Sequence, residues 1–245
     1  MVGIYKIAGC NIKICSIHND VHFLCRNYRS EDNADFTVVT TQGDIDLERK
    51  YSEEEDIKLG TSIRNYTDGY LETLAVYRKI ADTMLNYDTI LFHGSCVAVD
   101  GEGYLFTAKS GTGKSTHTRL WRELFGKRAV MVNDDKPLIR ITDTGARVFG
   151  TPWNGKHALG ENITVPLRAI CVLERDAENH ICKVEKRSIY PLLVQQTHRS
   201  SNGGAVLKML TLLDTMTEKV GLYKLGCNME MDAAKVAYEG MAEKK

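Results

Sequence analysis

The sequence lacks an excess of charge of either sign. Lysine and arginine together total 32 residues, and so do aspartate and glutamate, so the formal net charge at pH 7 is zero. A chain without a global basic field has no general electrostatic attraction for nucleic acid or for an anionic membrane. We therefore expect no nucleic-acid partner and no membrane partner, and any anion must bind through local groups.

Long hydrophobic runs are also missing. No uninterrupted apolar stretch approaches the roughly eighteen residues that a membrane-spanning helix needs, and residues 1–6 lack the pattern of a secretory signal peptide. The seven cysteines never form a C-x-x-C pair, and several lie in apolar strand-like segments, as Cys171 does. That pattern is typical of reduced, buried thiols rather than of disulfides or zinc ligands. We therefore expect a cytoplasmic protein.

What is present is an ordinary globular composition, with 43% hydrophobic and 26% charged residues. Short alternation of apolar and polar residues predicts a small β-rich N-terminal segment over residues 1–60, followed by a larger domain over residues 61–245. The charged run 48–56 reads as a solvated linker, with a helix start as the alternative. Residues 68–85 have helical spacing with a broad apolar face.

The larger domain alternates strand and helix patterns. Its predicted strands are 90–99, 104–108, 129–133, 138–141, 147–150 and 169–173, and its predicted helices are 116–124, 190–197, 205–220 and 232–241. This mixture favours an α/β fold with a mixed sheet flanked by helices. Its active site is expected at the strand ends.

A glycine-rich loop joins the strand 104–108 to the helix 116–124. It reads Ser110-Gly111-Thr112-Gly113-Lys114-Ser115-Thr116, and a strand before it and a helix after it are the context of a Walker A motif. Glycines let successive N–H groups point at phosphate oxygens. Lys114 would hold the β- and γ-phosphates and the Ser115 hydroxyl would bind Mg²⁺. The loop predicts binding of ATP and Mg²⁺, with an ordinary glycine turn as the alternative.

Three further positions bear on this site. Ala108 occupies the place of the motif's first glycine, which alanine can fill if its φ is negative. Asp134 and Asp135 end the apolar strand 129–133, where carboxylates could orient the metal or a nucleophile, or simply cap a turn. His93 lies within an apolar strand pattern, and from its own environment a satisfied core histidine is the simpler interpretation.

His93-Gly94, the stretch from Ala108 to Ser115 and Asp134-Asp135 together resemble the catalytic core of the bacterial HPr kinase/phosphorylase family. That family carries His-Gly, then G-x-S-G-x-G-K-S, then Asp-Asp at comparable separations. The same stretch is similar to ATP-dependent phosphoenolpyruvate carboxykinase, and the two families share a fold. The resemblance spans residues 89–157 and implies a P-loop domain with the mixed sheet of those families.

The resemblance also implies roles for individual residues. Asp134 would be the general base that accepts the proton of the acceptor hydroxyl, Asp135 would help to hold the metal, and His93 would support Asp134 or the metal. Lys156 parallels an active-site lysine, although a surface lysine is the alternative. Trp153 could line an acceptor pocket or pack its loop, and Arg199 is a candidate for an arginine-containing loop of the family.

These patterns predict a P-loop kinase that transfers the γ-phosphoryl group of ATP to a hydroxyl. The acceptor would be a serine of a peptide or protein, or a free small molecule. Two alternatives stay open: a carboxykinase-type lyase and a nucleotide-binding regulator without transfer activity. The sequence leaves the oligomeric state open, a homo-oligomer included.

Overall fold

The computed structural model describes residues 1–109 and 111–242, and the chain divides into two compact units. The first unit runs from Met1 to Thr83 and the second begins at Met84. The division therefore falls later than the predicted one after residue 60. Within the described residues, no helix combines the length and the hydrophobicity needed to cross a lipid bilayer.

The first unit contains the small sheet predicted for the N-terminal segment. Strands β1 and β2 form an antiparallel hairpin, and β3 lies parallel to β2. The hairpin turns at Ala8 and Gly9, whose positive φ values of 47° and 78° suit a tight connection. The elements of this unit, in chain order, are β1 (Val2–Ile7), β2 (Cys10–Cys15), α1 (Asp20–Leu24), β3 (Phe36–Val39), α2 (Gln42–Leu59) and α3 (Asp68–Met84).

Helix α2 replaces the solvated linker that the charged run 48–56 predicted. Its N-terminus is capped by Asp44, whose carboxylate accepts the Thr41 backbone N–H at 2.8 Å. Its C-terminus ends at Gly60 in the left-handed conformation, with φ 65°. The linker prediction was wrong because two acids of the run are buried in ion pairs, Glu48 with Arg78 and Asp56 with Arg64.

Helix α3 belongs to the first unit because its polar residues bind the segments before it. The fully buried Glu72 carboxylate accepts the backbone N–H groups of Ile17 and His18, each at 2.7 Å. Lys79 bonds the Asp44 carboxylate at 2.8 Å. A division at residue 60 would separate these partners, which explains why the observed boundary follows α3.

The second unit is a mixed sheet flanked by helices, as predicted. Its described strands run in the order β4-β8-β9-β10-β6-β5-β7, with β12 beside β10 and β11 beside β12. Strand β10 pairs in parallel with β6 and β12, whereas the other pairs are antiparallel. The elements, in chain order, are β4 (Thr89–Leu91), β5 (Ser95–Val99), β6 (Glu102–Thr107), α4 (Lys114–Phe125), β7 (Ala129–Asn133), β8 (Leu138–Thr142), β9 (Gly145–Phe149), β10 (Thr164–Arg175), β11 (His180–Lys183), α5 (Lys186–Gln196), α6 (Gly203–Lys219), β12 (Gly221–Cys227) and α7 (Met231–Ala242).

The central strands are buried on both faces. Cys96 and Ala98 of β5 pack in the apolar layer that contains α5 and α6, whereas Val97 and Val99 pack in the layer that contains α4 and α7. Trp121 of α4 is a large, fully buried side chain of the second layer. Strands covered on both faces read as continuous apolar runs, which is why their sequence patterns lack alternation.

The strand predicted over residues 90–99 is interrupted. Strand β4 pairs with β8 and strand β5 pairs with β7, so the chain passes from one part of the sheet to another at residues 92–94. Gly94 permits this crossing, since an added Cβ would lie 3.0 Å from the Phe106 carbonyl oxygen. The chain between β7 and β8 is also not a strand, and it lies beside Gly94, whose N–H donates to the Asp135 carbonyl at 2.9 Å. The two breaks bring His93 next to the Asp134-Asp135 pair.

Candidate functional site

The glycine-rich loop connects β6 to α4, and two of its glycines have positive φ. Gly111 and Gly113 have φ values of 75° and 122°, a region in which residues with a side chain are strained. Helix α4 begins at Lys114, so the unpaired N–H groups of its first turn point toward the loop. Ser110 lies outside the described residues.

Alanine is compatible with the first position of the loop. The described non-glycine residues with positive φ are Ala8, Asp88, Asp100 and Ala158, and Ala108 is not among them. Ala108 is also almost completely buried. The substitution of the motif's first glycine therefore leaves the backbone unstrained.

Lys114 places a half-buried cation at the start of α4. Burial lowers the pKa of Lys114, while the negative charge of Asp135 acts in the opposite direction. An ammonium group that has lost part of its hydration gains from a nearby polyanion. Lys114 is therefore suited to contact phosphate groups held at the loop.

Asp135 forms the acidic centre of the site together with two basic residues. Its carboxylate lies 3.3 Å from His93 Nε2 and 3.9 Å from Lys136 Nζ. Burial raises the pKa of Asp135, but the hydrogen bond from His93 and the charges of Lys136 and Lys114 lower it below its ordinary range. Asp135 therefore remains a carboxylate that can bind a cation.

His93 is held by its backbone while its side chain faces the site. Its N–H donates to the Gln196 carbonyl at 2.7 Å, and its carbonyl accepts the Thr107 hydroxyl at 3.1 Å. The imidazole is 40% exposed, so it does not occupy a packed core position. The imidazole pairs with Asp135, whereas the resemblance implied Asp134 as one of its two partners.

Asp134 is oriented by the loop that follows β9. Its Oδ1 accepts the Gly155 backbone N–H at 2.7 Å. A Cβ at position 155 would lie 3.3 Å from Asp134 Oδ2, so glycine allows this close approach. Asp134 is half-buried and lines the same cavity as Lys114. The hydrogen bond from the Gly155 N–H to Oδ1 therefore fixes the orientation of the Asp134 carboxylate, including that of Oδ2.

The loop that carries Lys156 is internally braced. The Asn154 side chain accepts the Gly160 N–H at 3.1 Å and donates to the Thr151 carbonyl at 3.1 Å. Trp153 is 5% exposed and is not among the described residues that line the cavity beside Lys114. Lys156 itself is exposed at the tip of the loop.

A cavity of about 430 Å³ unites these groups. Besides Trp153, two of the described candidate residues do not line it: Thr112, whose hydroxyl donates to the Lys109 carbonyl at 2.8 Å, and the exposed Arg199. The described residues that line the cavity are His93, Gly111, Gly113, Lys114, Ser115, Thr116, Asp134, Asp135, Gly155, Lys156 and His157.

Sequence reasoning missed Gly155, His157 and Arg175. Arg175 ends β10, the strand that pairs with β6 ahead of the loop. Its guanidinium donates to the carbonyls of Gly111 at 2.5 Å and Thr112 at 3.5 Å. Those bonds attach the glycine loop to the end of β10. The pairing of β10 with β6 was needed to find this contact, and no local pattern signals it.

The donor set fits a nucleotide and Mg²⁺. The Ser115 hydroxyl and the Asp135 carboxylate are oxygen donors in one cavity with Lys114 and the loop. Mg²⁺ is usually bound through one or two carboxylates together with substrate phosphates, rather than by an all-protein cage. The described residues contain no group of three or more histidine, cysteine or acidic side chains arranged to hold a metal by themselves.

Comparison with known proteins found no matching family model and no matching curated protein. Among solved structures, the chain is similar to the Hpr(Ser) kinase/phosphatase from Coxiella burnetii. The two sequences are 8% identical, the match covers 61% of this chain and 94% of that chain, and the TM-score is 0.34. A similarity at this level is too low to assign the chain to a family.

Proposed function

We propose that the chain is an ATP-dependent kinase that transfers the γ-phosphoryl group to a hydroxyl, foremost the hydroxyl of a serine in a peptide or protein. One observation carries the proposal: Lys114 and the glycine loop share a single cavity with Asp134, Asp135 and Lys156. An anion cradle next to two carboxylates supplies both parts of phosphoryl transfer, phosphate binding and activation of a nucleophile.

The residues divide the chemistry between them. The loop N–H groups and Lys114 bind and orient the phosphates. Asp134 accepts the acceptor's hydroxyl proton while the hydroxyl oxygen bonds to the γ-phosphorus and the bond to the β–γ bridging oxygen breaks, releasing ADP. Lys156 adds positive charge beside the transferred group. Mg²⁺, when bound through Ser115 and Asp135, supplies charge neutralisation of the phosphates.

Asp135 and His93 act as a pair in this scheme. A carboxylate with a lowered pKa stays ionised and available for a cation, and the imidazole at 3.3 Å fixes its orientation. Lys114 and Lys156 line the cavity, and lysine ammonium groups suit the phosphate groups of ATP. We therefore rank the kinase ahead of the carboxykinase-type lyase and of the regulator without activity.

The proposal is tested by transfer of radioactive phosphate from γ-labelled ATP in the presence of Mg²⁺. The acceptor probes are L-serine and a serine-containing peptide, and labelled products are separated by chromatography. Asp134→Asn should retain ATP binding and lose about 10² to 10⁴ in turnover, the range for a general base. Asp143→Asn, the same change at an exposed turn, is the matched control. A loss of less than about threefold in Asp134→Asn would remove the base role.

A further inference from the structure

The Asp134-Asp135 turn and the loop that carries Lys156 meet at one buried side chain, Asn133. Asn133 is the last residue of β7 and is fully buried. Its Oδ1 accepts the backbone N–H groups of Asp135 at 2.9 Å and Lys136 at 2.6 Å. One half of the carboxamide therefore shapes the turn that presents both acids.

The other half of the carboxamide reaches the neighbouring loop. Asn133 Nδ2 donates to the Thr151 hydroxyl at 3.0 Å and to the Trp153 carbonyl at 3.1 Å, with the Thr151 carbonyl at 3.5 Å. The orientation of the amide is fixed, because a flipped group would place its NH₂ against two N–H donors. The Thr151 hydroxyl also donates to the Lys136 carbonyl at 3.2 Å, which closes the link between turn and loop.

We propose that Asn133 is a positioning residue that fixes the Asp134-Asp135 turn and the Lys156 loop in one position relative to each other. The inference rests on the proposed function and adds to it how the base Asp134 and the cation Lys156 are held relative to each other. No other common side chain of this size offers two acceptor sites and two donors in one rigid plane. Glutamine would add a methylene at a fully buried position.

The main variant is Asn133→Asp, which keeps the acceptor for the turn but places an oxygen against the loop carbonyls. A displacement of the loop by about 1 Å can cost roughly 100-fold in turnover. We expect kcat to fall by that amount, while the KM for MgATP stays within about twofold because the glycine loop lies on other elements. The probes are ATP with water, with L-serine and with a serine-containing peptide.

A double-mutant comparison with Lys156→Ala distinguishes an effect on positioning from a loss of folded protein. Lys156→Ala should lower kcat in the wild-type background and have little further effect in the Asn133→Asp background, because the ammonium group is already misplaced. If Asn133→Asp does not fold, Thr151→Val removes the link from the loop side without burying a charge. Thr89→Val is the matched control, because the buried Thr89 hydroxyl in β4 also has two hydrogen-bond partners, the Tyr87 carbonyl at 2.8 Å and Arg140 Nε at 3.0 Å.

The inference is overturned if kcat per folded molecule is unchanged, or if Lys156→Ala costs the same factor in both backgrounds. If the wild-type chain transfers phosphate to neither L-serine nor the peptide, the proposed function fails and amide hydrogen exchange decides the inference alone. Faster exchange of residues 153–158 in Thr151→Val than in Thr89→Val supports the link between turn and loop. Equal exchange in the two variants overturns it.

Discussion

Replacement of His93 by alanine tests whether the imidazole serves catalysis or packing. In the structure the ring lies 3.3 Å from Asp135, and it is 40% exposed while the partner side chain is 31% exposed. A buried histidine would leave a cavity and an unpaired partner, at a cost of about 2 kcal/mol or more. The observed exposure predicts a much smaller loss of stability.

The expected loss can be worked from the pair itself. Unit charges 3.3 Å apart would interact by about 5 kcal/mol at an effective dielectric constant of 20. Partial exposure of both side chains screens this interaction, and measured ion pairs at such sites contribute about 0.2–1 kcal/mol. His93→Ala should therefore cost no more than about 1 kcal/mol of stability. Turnover, in contrast, should fall tens of times because Asp135 loses its orientation. Removal of a supporting hydrogen bond near a metal causes a loss of about this size.

The sign of the pH effect follows from the pKa of Asp135. Burial raises this pKa, and the His93 hydrogen bond is the strongest of the influences that lower it below its ordinary value. Removal of the imidazole should therefore raise the pKa and move the acid limb of kcat/KM to higher pH. The stability that the carboxylate contributes is present above the ordinary carboxyl pKa and is lost as the pH falls through the lowered folded value.

Thermal unfolding and specific activity should be measured on one preparation of each variant, across pH. The matched control is His180→Ala, which removes an imidazole 4.0 Å from Asp176 outside the cavity. We expect the control to retain activity and His93→Ala to lose it with its stability retained. Lost stability with unchanged activity per folded molecule would instead show that His93 serves packing.

Two further variants test other contacts. Arg175→Ala should weaken MgATP binding roughly fivefold, the equivalent of about 1 kcal/mol for a lost hydrogen bond, because the Gly111 and Thr112 carbonyls lose their donor. Calorimetry checks this beside the exposed control Arg187→Ala, and equal affinities of the two variants would contradict it. Gly60→Ala should destabilise the chain by about 1 kcal/mol in denaturant unfolding, because φ is 65° at this position. The control Gly203→Ala should show no such loss, because position 203 has room for a Cβ and no positive φ.

Local patterns predicted those parts of the fold that depend on local chemistry. Helix α3 was expected over residues 68–85 and runs from Asp68 to Met84, because its apolar face repeats with the helical period. The glycine loop lies between β6 and α4 as expected, since its strand, turn and helix are contiguous in sequence. In both cases every residue that determines the element lies within it.

Features that depend on pairing between distant segments were not predictable from patterns. The break at His93-Gly94 leaves the apolar run intact, so periodicity alone continues the strand through it. Arg175 and Asn133 act through partners on other elements, and neither residue type indicates such a role by itself. Helix α2 was misread because the ion pair of Glu48 with Arg78 of α3 removes from solvent an acid that the sequence places in a charged run.

If the loop at the start of α4 binds the phosphates of ATP, calorimetry should show weaker binding of MgATP to Lys114→Ala than to the wild type. Loss of a charged hydrogen-bond donor to phosphate should cost about 1.5–3 kcal/mol, or roughly 10- to 150-fold in Kd. Lys127→Ala removes an exposed lysine beyond the end of α4 and should bind as the wild type does. Equal affinities for wild type and Lys114→Ala would contradict the account.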